Sequence, residues 1–134
     1  PNTPIYAATK AAVTSITEVL HQQLLREGGT LKAGVLFPGP HTVNTGILAS
    51  GEVRPDDYVE NEAQKKVAYR SMDDLLEATG LKMKLTQPEE VSEFALSCVA
   101  EGRFWMVPAS EDTDRAVGAR TDQILARENP PSAW

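Results

Sequence analysis

Leu31-Lys32-Ala33-Gly34-Val35-Leu36-Phe37-Pro38-Gly39-Pro40 carries a strand and its stop in one short run. The later part of the stretch is continuously apolar, the pattern of a strand buried on both faces. Pro38-Gly39-Pro40 ends it at once. Upstream, Thr3 is placed to cap a helix and Pro4 suits its first position. Ala8, Ala12, Ile16, Val19, Leu20 and Leu24 then recur at helical spacing, and Gly28-Gly29 closes the helix near Glu27. A helix, a short turn and a buried strand indicate an α/β layered fold. In such folds ligands bind beyond the carboxyl ends of the strands, which makes Pro38 to Thr45 the predicted ligand loop.

Downstream, residues 46–87 break the pattern. Ser50 to Pro55 reads as polar loop, Asn61 to Thr79 as a helix closed by Gly80, and Leu81 to Leu85 as an extended piece. Lying between the ligand loop and the next core helix, this stretch reads as a substrate lid, with a plain surface insertion as the alternative. Gln87-Pro88-Glu89-Glu90-Val91 opens a further helix, with Pro88 in its first turn and acids at the positive end of its dipole. Val91, Phe94, Ala95 and Cys98 form its inward stripe and Gly102 ends it. Phe104-Trp105-Met106-Val107 is a second apolar strand, and strand, crossover and strand make a parallel pair. A last helix runs from about Thr113 to Glu128 with Val117, Ile124 and Leu125, followed by a Pro-rich tail to Trp134.

The chain has 134 residues, 41% hydrophobic and 24% charged, as in an ordinary soluble globular domain. A formal net charge of −6 without a basic block argues against nucleic acid or an anionic membrane as partner. No apolar run approaches transmembrane length, and the first residues do not read as a signal peptide. One cysteine, Cys98, leaves no internal disulfide and fits a reducing, cytoplasmic setting. Its apolar neighbours make it a packing residue. No residue is assigned to a metal.

Tyr6-Ala7-Ala8-Thr9-Lys10 places a phenol and an amine one helical turn apart on one face. A nearby ammonium favours the phenolate, so the pair suits proton transfer near neutral pH. Taken alone, the spacing occurs on many helices by chance. The order is more specific: Y-A-A-T-K on a long helix, a buried strand, Pro38-Gly39-Pro40 with Thr42 and Thr45, a lid, Q-P-E-E-V, and the strand at Phe104–Val107. It resembles the carboxyl-terminal half of a short-chain dehydrogenase/reductase over nearly the whole chain, the lid and tail matching loosely.

The resemblance implies a partial Rossmann-like, doubly wound parallel sheet, comprising the last two strands and their helices, with residues 1–134 as one piece of a single domain and 46–87 as its lid. It implies hydride transfer between NAD or NADP and a small carbonyl or secondary-alcohol substrate. Tyr6 would be the general acid/base. Lys10 would lower the phenol pKa and hydrogen-bond the nicotinamide ribose. Pro38 and Gly39 would lie against the nicotinamide, and Thr42 or Thr45 would bind its carboxamide or a phosphate. Val43 stands where the family usually has its threonine, and a two-residue expansion would restore the match at Thr45. A homo-oligomer, dimer or tetramer, is also implied.

The family's glycine-rich turn, its NAD-or-NADP selector, and the asparagine and serine before the tyrosine have no counterpart in these residues. The amino-terminal half is therefore expected as a partner, and this stretch alone is expected to be inactive. The competing reading is a non-catalytic oligomerisation or interaction module derived from the same fold.

Overall fold

Helices, 3₁₀ turns and short strands among the described residues make this a mixed α/β chain. The computed structural model describes residues 3–53, 55–58 and 68–130. Helix α1 spans Pro4–Glu27, with Pro4 in its first turn. Gly28 terminates it at φ 67, a left-handed position that glycine adopts without a Cβ penalty, and its N–H reaches the Leu25 carbonyl at 3.3 Å. Thr3 sits at the cap position, but its hydroxyl makes no cap bond. Its backbone, at φ −129 and ψ 58, is not in the extended conformation that aims a cap side chain at the first turn.

The predicted apolar stripe of α1 does not face inward. The half-buried positions are Thr14, Thr17, His21 and Leu24, so Leu24 alone of the predicted set is covered. Ile16 is 66% exposed and Val19 58%. The reason lies in what α1 meets. His21 Nδ1 lies 3.1 Å from the Ala33 carbonyl oxygen, and its ring packs 4.7 Å from that of Phe104. These contacts set the rotation of the helix and turn the apolar stripe outward.

Two short parallel pairs replace the two longer strands expected. Strand β1 (Val35–Leu36) pairs with β4 (Trp105–Met106), Val35 opposite Trp105 and Leu36 opposite Met106. Strand β2 (Thr42–Val43) pairs with β3 (Leu85–Thr86). The parallel relation of β1 and β4 is the one expected from strand, crossover and strand. The strand predicted over Leu31–Phe37 narrows to Val35–Leu36, near its carboxyl end, where Trp105 and Met106 pair with it. Burial on both faces is not reached either. Val35 is buried, but Leu36 and Phe37 are 37% and 39% exposed, since a single neighbouring strand covers little of them. Gly34 is required beside this pair: a Cβ there would stand 2.6 Å from Met106 Cε and 3.2 Å from the Arg103 and Phe104 carbonyl oxygens.

The chain divides into two compact units, Pro1–Pro40 with Phe94–Trp134, and His41–Glu93. The first holds α1, β1, β4, the later part of α3 (Pro88–Ala100) and α4 (Glu111–Ala126). Val35, Cys98 and Met106 are its buried apolar residues among those described. Helix α3 follows the expected stripe: Val91, Phe94 and Ala95 are half-buried and Cys98 is fully buried. Gly102, at φ 68, turns the chain out of α3 while the Arg103 N–H reaches back to the Cys98 carbonyl at 2.9 Å. The Arg103 guanidinium bonds the Glu101 carboxylate, and that hydrogen bond, then its charge, holds Arg103 above its ordinary pKa. Helix α4 starts two residues before the sequence suggests because Ser110 Oγ accepts from the Thr113 N–H. It ends at Arg127, which adopts φ 61.

The second unit holds β2, a 3₁₀ helix over Gly46–Val53, a 3₁₀ turn at Asp56–Tyr58, helix α2 (Met72–Thr79) and β3. Ser50 to Pro55 is therefore not plain loop, since most of it belongs to the 3₁₀ helix. Of the helix predicted for Asn61 to Thr79, Met72–Thr79 forms α2 and 68–71 are not helical, while 61–67 lie outside the described residues, as does Trp134. A capping box explains the start. Ser71 Oγ accepts from the Asp74 N–H at 3.0 Å, and Asp74 Oδ2 accepts from the Ser71 N–H at 3.2 Å. Met72 and Thr86 are buried here, and the Thr86 hydroxyl accepts from the His41 N–H at 3.3 Å. An eight-residue helix is marginal without such a cap. Ser71→Ala should cost about 0.5–2 kcal/mol, read as loss of hydrogen-exchange protection over α2, and unchanged protection would count against the box as its anchor.

Candidate active site

The Tyr6–Lys10 pair survives folding as a pair. Both side chains leave α1 on one side, and Lys10 Nζ lies 5.5 Å from the Tyr6 ring centroid, over its face. Thr9 and Thr14 bond their hydroxyls back to the Tyr6 and Lys10 carbonyl oxygens, at 2.8 and 3.2 Å, so neither hydroxyl competes for the phenol or the amine. Tyr6, Lys10, Thr14, Thr17, His21 and Leu24 follow one another in steps of three or four residues, a single stripe of the helix. The later members of that stripe are its packed ones. Tyr6 and Lys10 are thus the amino-terminal continuation of the inward face, not part of the outward apolar one.

Both remain accessible. Tyr6 is 62% exposed and Lys10 is exposed. Among the described residues neither side chain makes a hydrogen bond or ion pair, so phenol oxygen and ammonium are both available to a ligand. Pro38 and Gly39 follow β1 directly, after Phe37 donates its N–H to the Met106 carbonyl at 3.0 Å. Pro38 is exposed and Gly39 half-buried, at the carboxyl end of a parallel strand.

The predicted ligand loop, Pro38 to Thr45, contains a short paired strand. Thr42 and Val43 form β2, and the Asn44 N–H bonds the Thr86 carbonyl at 2.9 Å. Strand pairing with Leu85 and Thr86 half-buries Val43, while Thr42 and Thr45 stay exposed. Backbone pairing and the Thr86 hydroxyl, which accepts from the His41 N–H, organise this segment. No three His, Cys, Asp or Glu side chains cluster as a metal site among the described residues, and none of their helices is long and apolar enough to cross a membrane.

His21 escaped the sequence reading. It lies between apolar positions, and nothing in the spacing marks the Ala33 carbonyl as its partner. The aromatic group Phe37, Phe104 and Trp105 was equally hidden. Phe104 meets Trp105 edge-on at 4.9 Å, and Phe37 stacks on Trp105 at 6.3 Å. Such contacts depend on strand register, which single-residue patterns leave open. Comparison with protein-family models, curated proteins and solved structures found no match for this chain.

Proposed function

We propose that this chain is the proton-transfer half of an NAD(P)-dependent oxidoreductase of the short-chain dehydrogenase/reductase type. It would act on a small carbonyl or secondary-alcohol substrate in the cytoplasm. The observation that carries the proposal is the Tyr6–Lys10 pair, stacked and accessible at the open end of the inward stripe of α1. A Pro-Gly turn at the carboxyl end of a parallel strand in the same unit supports it. The mixed α/β content and the parallel β1–β4 pair support a partial Rossmann-like sheet.

The nicotinamide cofactor would supply or accept the hydride. Available ribose-binding donors at Tyr6 and Lys10, and a glycine after the strand end, fit its nicotinamide–ribose portion. The pyrophosphate has no glycine-rich turn in this sequence. In this reading Tyr6 donates a proton to the carbonyl oxygen, or accepts the hydroxyl proton in the reverse direction. The Lys10 ammonium opposes the negative charge left on the phenol oxygen. Pro38 and Gly39 would lie against the nicotinamide, as the resemblance implies. Val43, with Thr42 or Thr45, would contribute the carboxamide or phosphate contacts that the resemblance implies, and 46–87 would serve as the lid. In this reading an amino-terminal half of the same fold would supply the remaining cradle.

NAD(P)H fluorescence titration tests this directly. The 134-residue chain alone should bind the cofactor weakly, and the chain joined to its amino-terminal half should bind it and oxidise it against a carbonyl panel. Tight binding by the chain alone, or no turnover by the joined protein with any carbonyl, would overturn the proposal.

A second reading, an assembly module without catalysis, draws on the outward apolar faces. Val117, Ile124 and Leu125 of α4 are each more than half exposed, as are Ile16 and Val19 of α1. Association without cofactor binding in the joined protein would favour it.

A further inference from the structure

The His21 ring packs 4.7 Å from the Phe104 ring and so seats α1 against the start of β4. A cavity of about 230 Å³ opens beside that contact, lined by Glu18, His21 and Gln22 of α1 and by Phe104 and Trp105. Both walls belong to the first compact unit, so the cavity is formed within this chain, at a contact that α1 already makes. Glu18, His21 and Gln22 stand three and four residues apart, on one face of the helix. Phe104 and Trp105 meet at 88° with ring centroids 4.9 Å apart, and Trp105 remains 50% exposed.

The polar groups around this cavity are acceptors. The Ala33 carbonyl oxygen, 3.1 Å from His21 Nδ1, can only accept, so the ring nitrogen carries the proton between them. In the neutral imidazole Nε2 is then left with a free lone pair. The Glu18 carboxylate accepts through two oxygens, and the Gln22 amide through one. Among the described residues Glu18, Gln22 and His21 Nε2 make no hydrogen bond or ion pair. No Lys or Arg side chain lines the cavity. Aromatic ring faces also attract cations, and the formal net charge of −6 adds a field of the same sense.

A carboxylate, two neutral acceptors and two aromatic rings together select a positively charged head that carries N–H donors. The volume lies below the ~300–1,000 Å³ of pockets for drug-sized ligands, so it suits such a head on a short stem. Glu18 and His21 are fewer ligands than a structural or catalytic zinc site uses, which favours an organic cation over a metal ion. We propose that the cavity between α1 and the start of β4 binds a small guanidinium or primary ammonium compound. Glu18 and His21 Nε2 accept from its N–H groups, and its cationic head lies against the Trp105 and Phe104 rings. The proposal goes beyond the dehydrogenase reading and stands without it.

Isothermal titration calorimetry of agmatine, which carries both cationic groups, into the 134-residue chain tests this. Salt at about 0.15 M screens attraction to the net charge alone, and one saturable site is expected. Glu18→Gln keeps the length of an exposed side chain and removes its charge. It should leave the unfolding midpoint unchanged and weaken binding at least ~10-fold, because the charge-assisted hydrogen bonds are lost. Tetramethylammonium keeps the positive charge without N–H donors and should also bind at least ~10-fold more weakly than agmatine. In a Trp134→Phe background Trp105 is the remaining tryptophan, and its emission should change in step with the heat. Heat that never saturates overturns the proposal. So does Glu18→Gln binding as tightly as the parent, tetramethylammonium matching agmatine, or Trp105 emission that stays unmoved at saturation.

Discussion

Tyr6→Phe, in the joined and active protein, should lower kcat by ~10²–10⁴-fold, the usual contribution of a positioned general acid/base. The phenylalanine keeps the ring beneath Lys10 Nζ and removes only the oxygen, so the stacked geometry and the fold persist. Far-ultraviolet circular dichroism should therefore superpose on the parent. KM for substrate should change little if the phenol works mainly in the transition state. Lys10→Ala should reduce kcat as well and raise the cofactor KM, because the amine is proposed to serve both the phenol and the ribose. Lys10→Arg should recover part of the cofactor affinity and less of kcat, since a guanidinium keeps the charge but not the compact ammonium geometry. Wild-type turnover by Tyr6→Phe would remove Tyr6 from the mechanism and leave the assembly reading standing.

Met106→Ala should destabilise the first unit by about 2–5 kcal/mol. Met106 is 9% exposed and lies opposite Leu36 in the parallel register, and its carbonyl accepts the Phe37 N–H. Its Cε occupies the space above Gly34 that a Cβ there would enter. Truncation leaves a cavity with few neighbours able to collapse into it, since Val35 and Cys98 are the other buried apolar residues described in this unit. Against a typical total of ~5–15 kcal/mol the loss is large. Urea unfolding followed by circular dichroism should show a lower midpoint for Met106→Ala and a much smaller shift for Met106→Leu, which conserves volume. An unshifted Met106→Ala midpoint would mean that the β1–β4 pair is not where this unit is held together.

Much of the architecture is legible in the sequence. Pro4, Gly28, Gly80 and Gly102 bounded helices where capping chemistry says they should, because a missing N–H or a left-handed φ acts within a few residues. The α3 stripe from Val91 to Cys98 was read correctly for the same reason, since its inward spacing matched its apolar spacing. The Tyr6–Lys10 juxtaposition followed from helical period alone. The α1 stripe was misread because apolar spacing reports which residues could be covered, whereas coverage depends on what stands opposite. His21, holding the Ala33 carbonyl and the Phe104 ring, turned the other side of the helix inward.

Local chemistry thus determined where α1 and α3 begin and end, and that a phenol and an amine share one turn. Those features depend on dihedral limits, hydrogen-bond closure and the 3.6-residue period, all of which act over a handful of neighbours. Only the tertiary structure decided that β1 and β4 pair over two residues each, that Thr42 and Val43 join a second pair, and that Phe37 and Trp105 share an open groove with Asp114. These depend on register between segments some 40 to 70 residues apart in sequence. A one-residue slip there moves every side chain to the opposite face, and no local pattern forbids it.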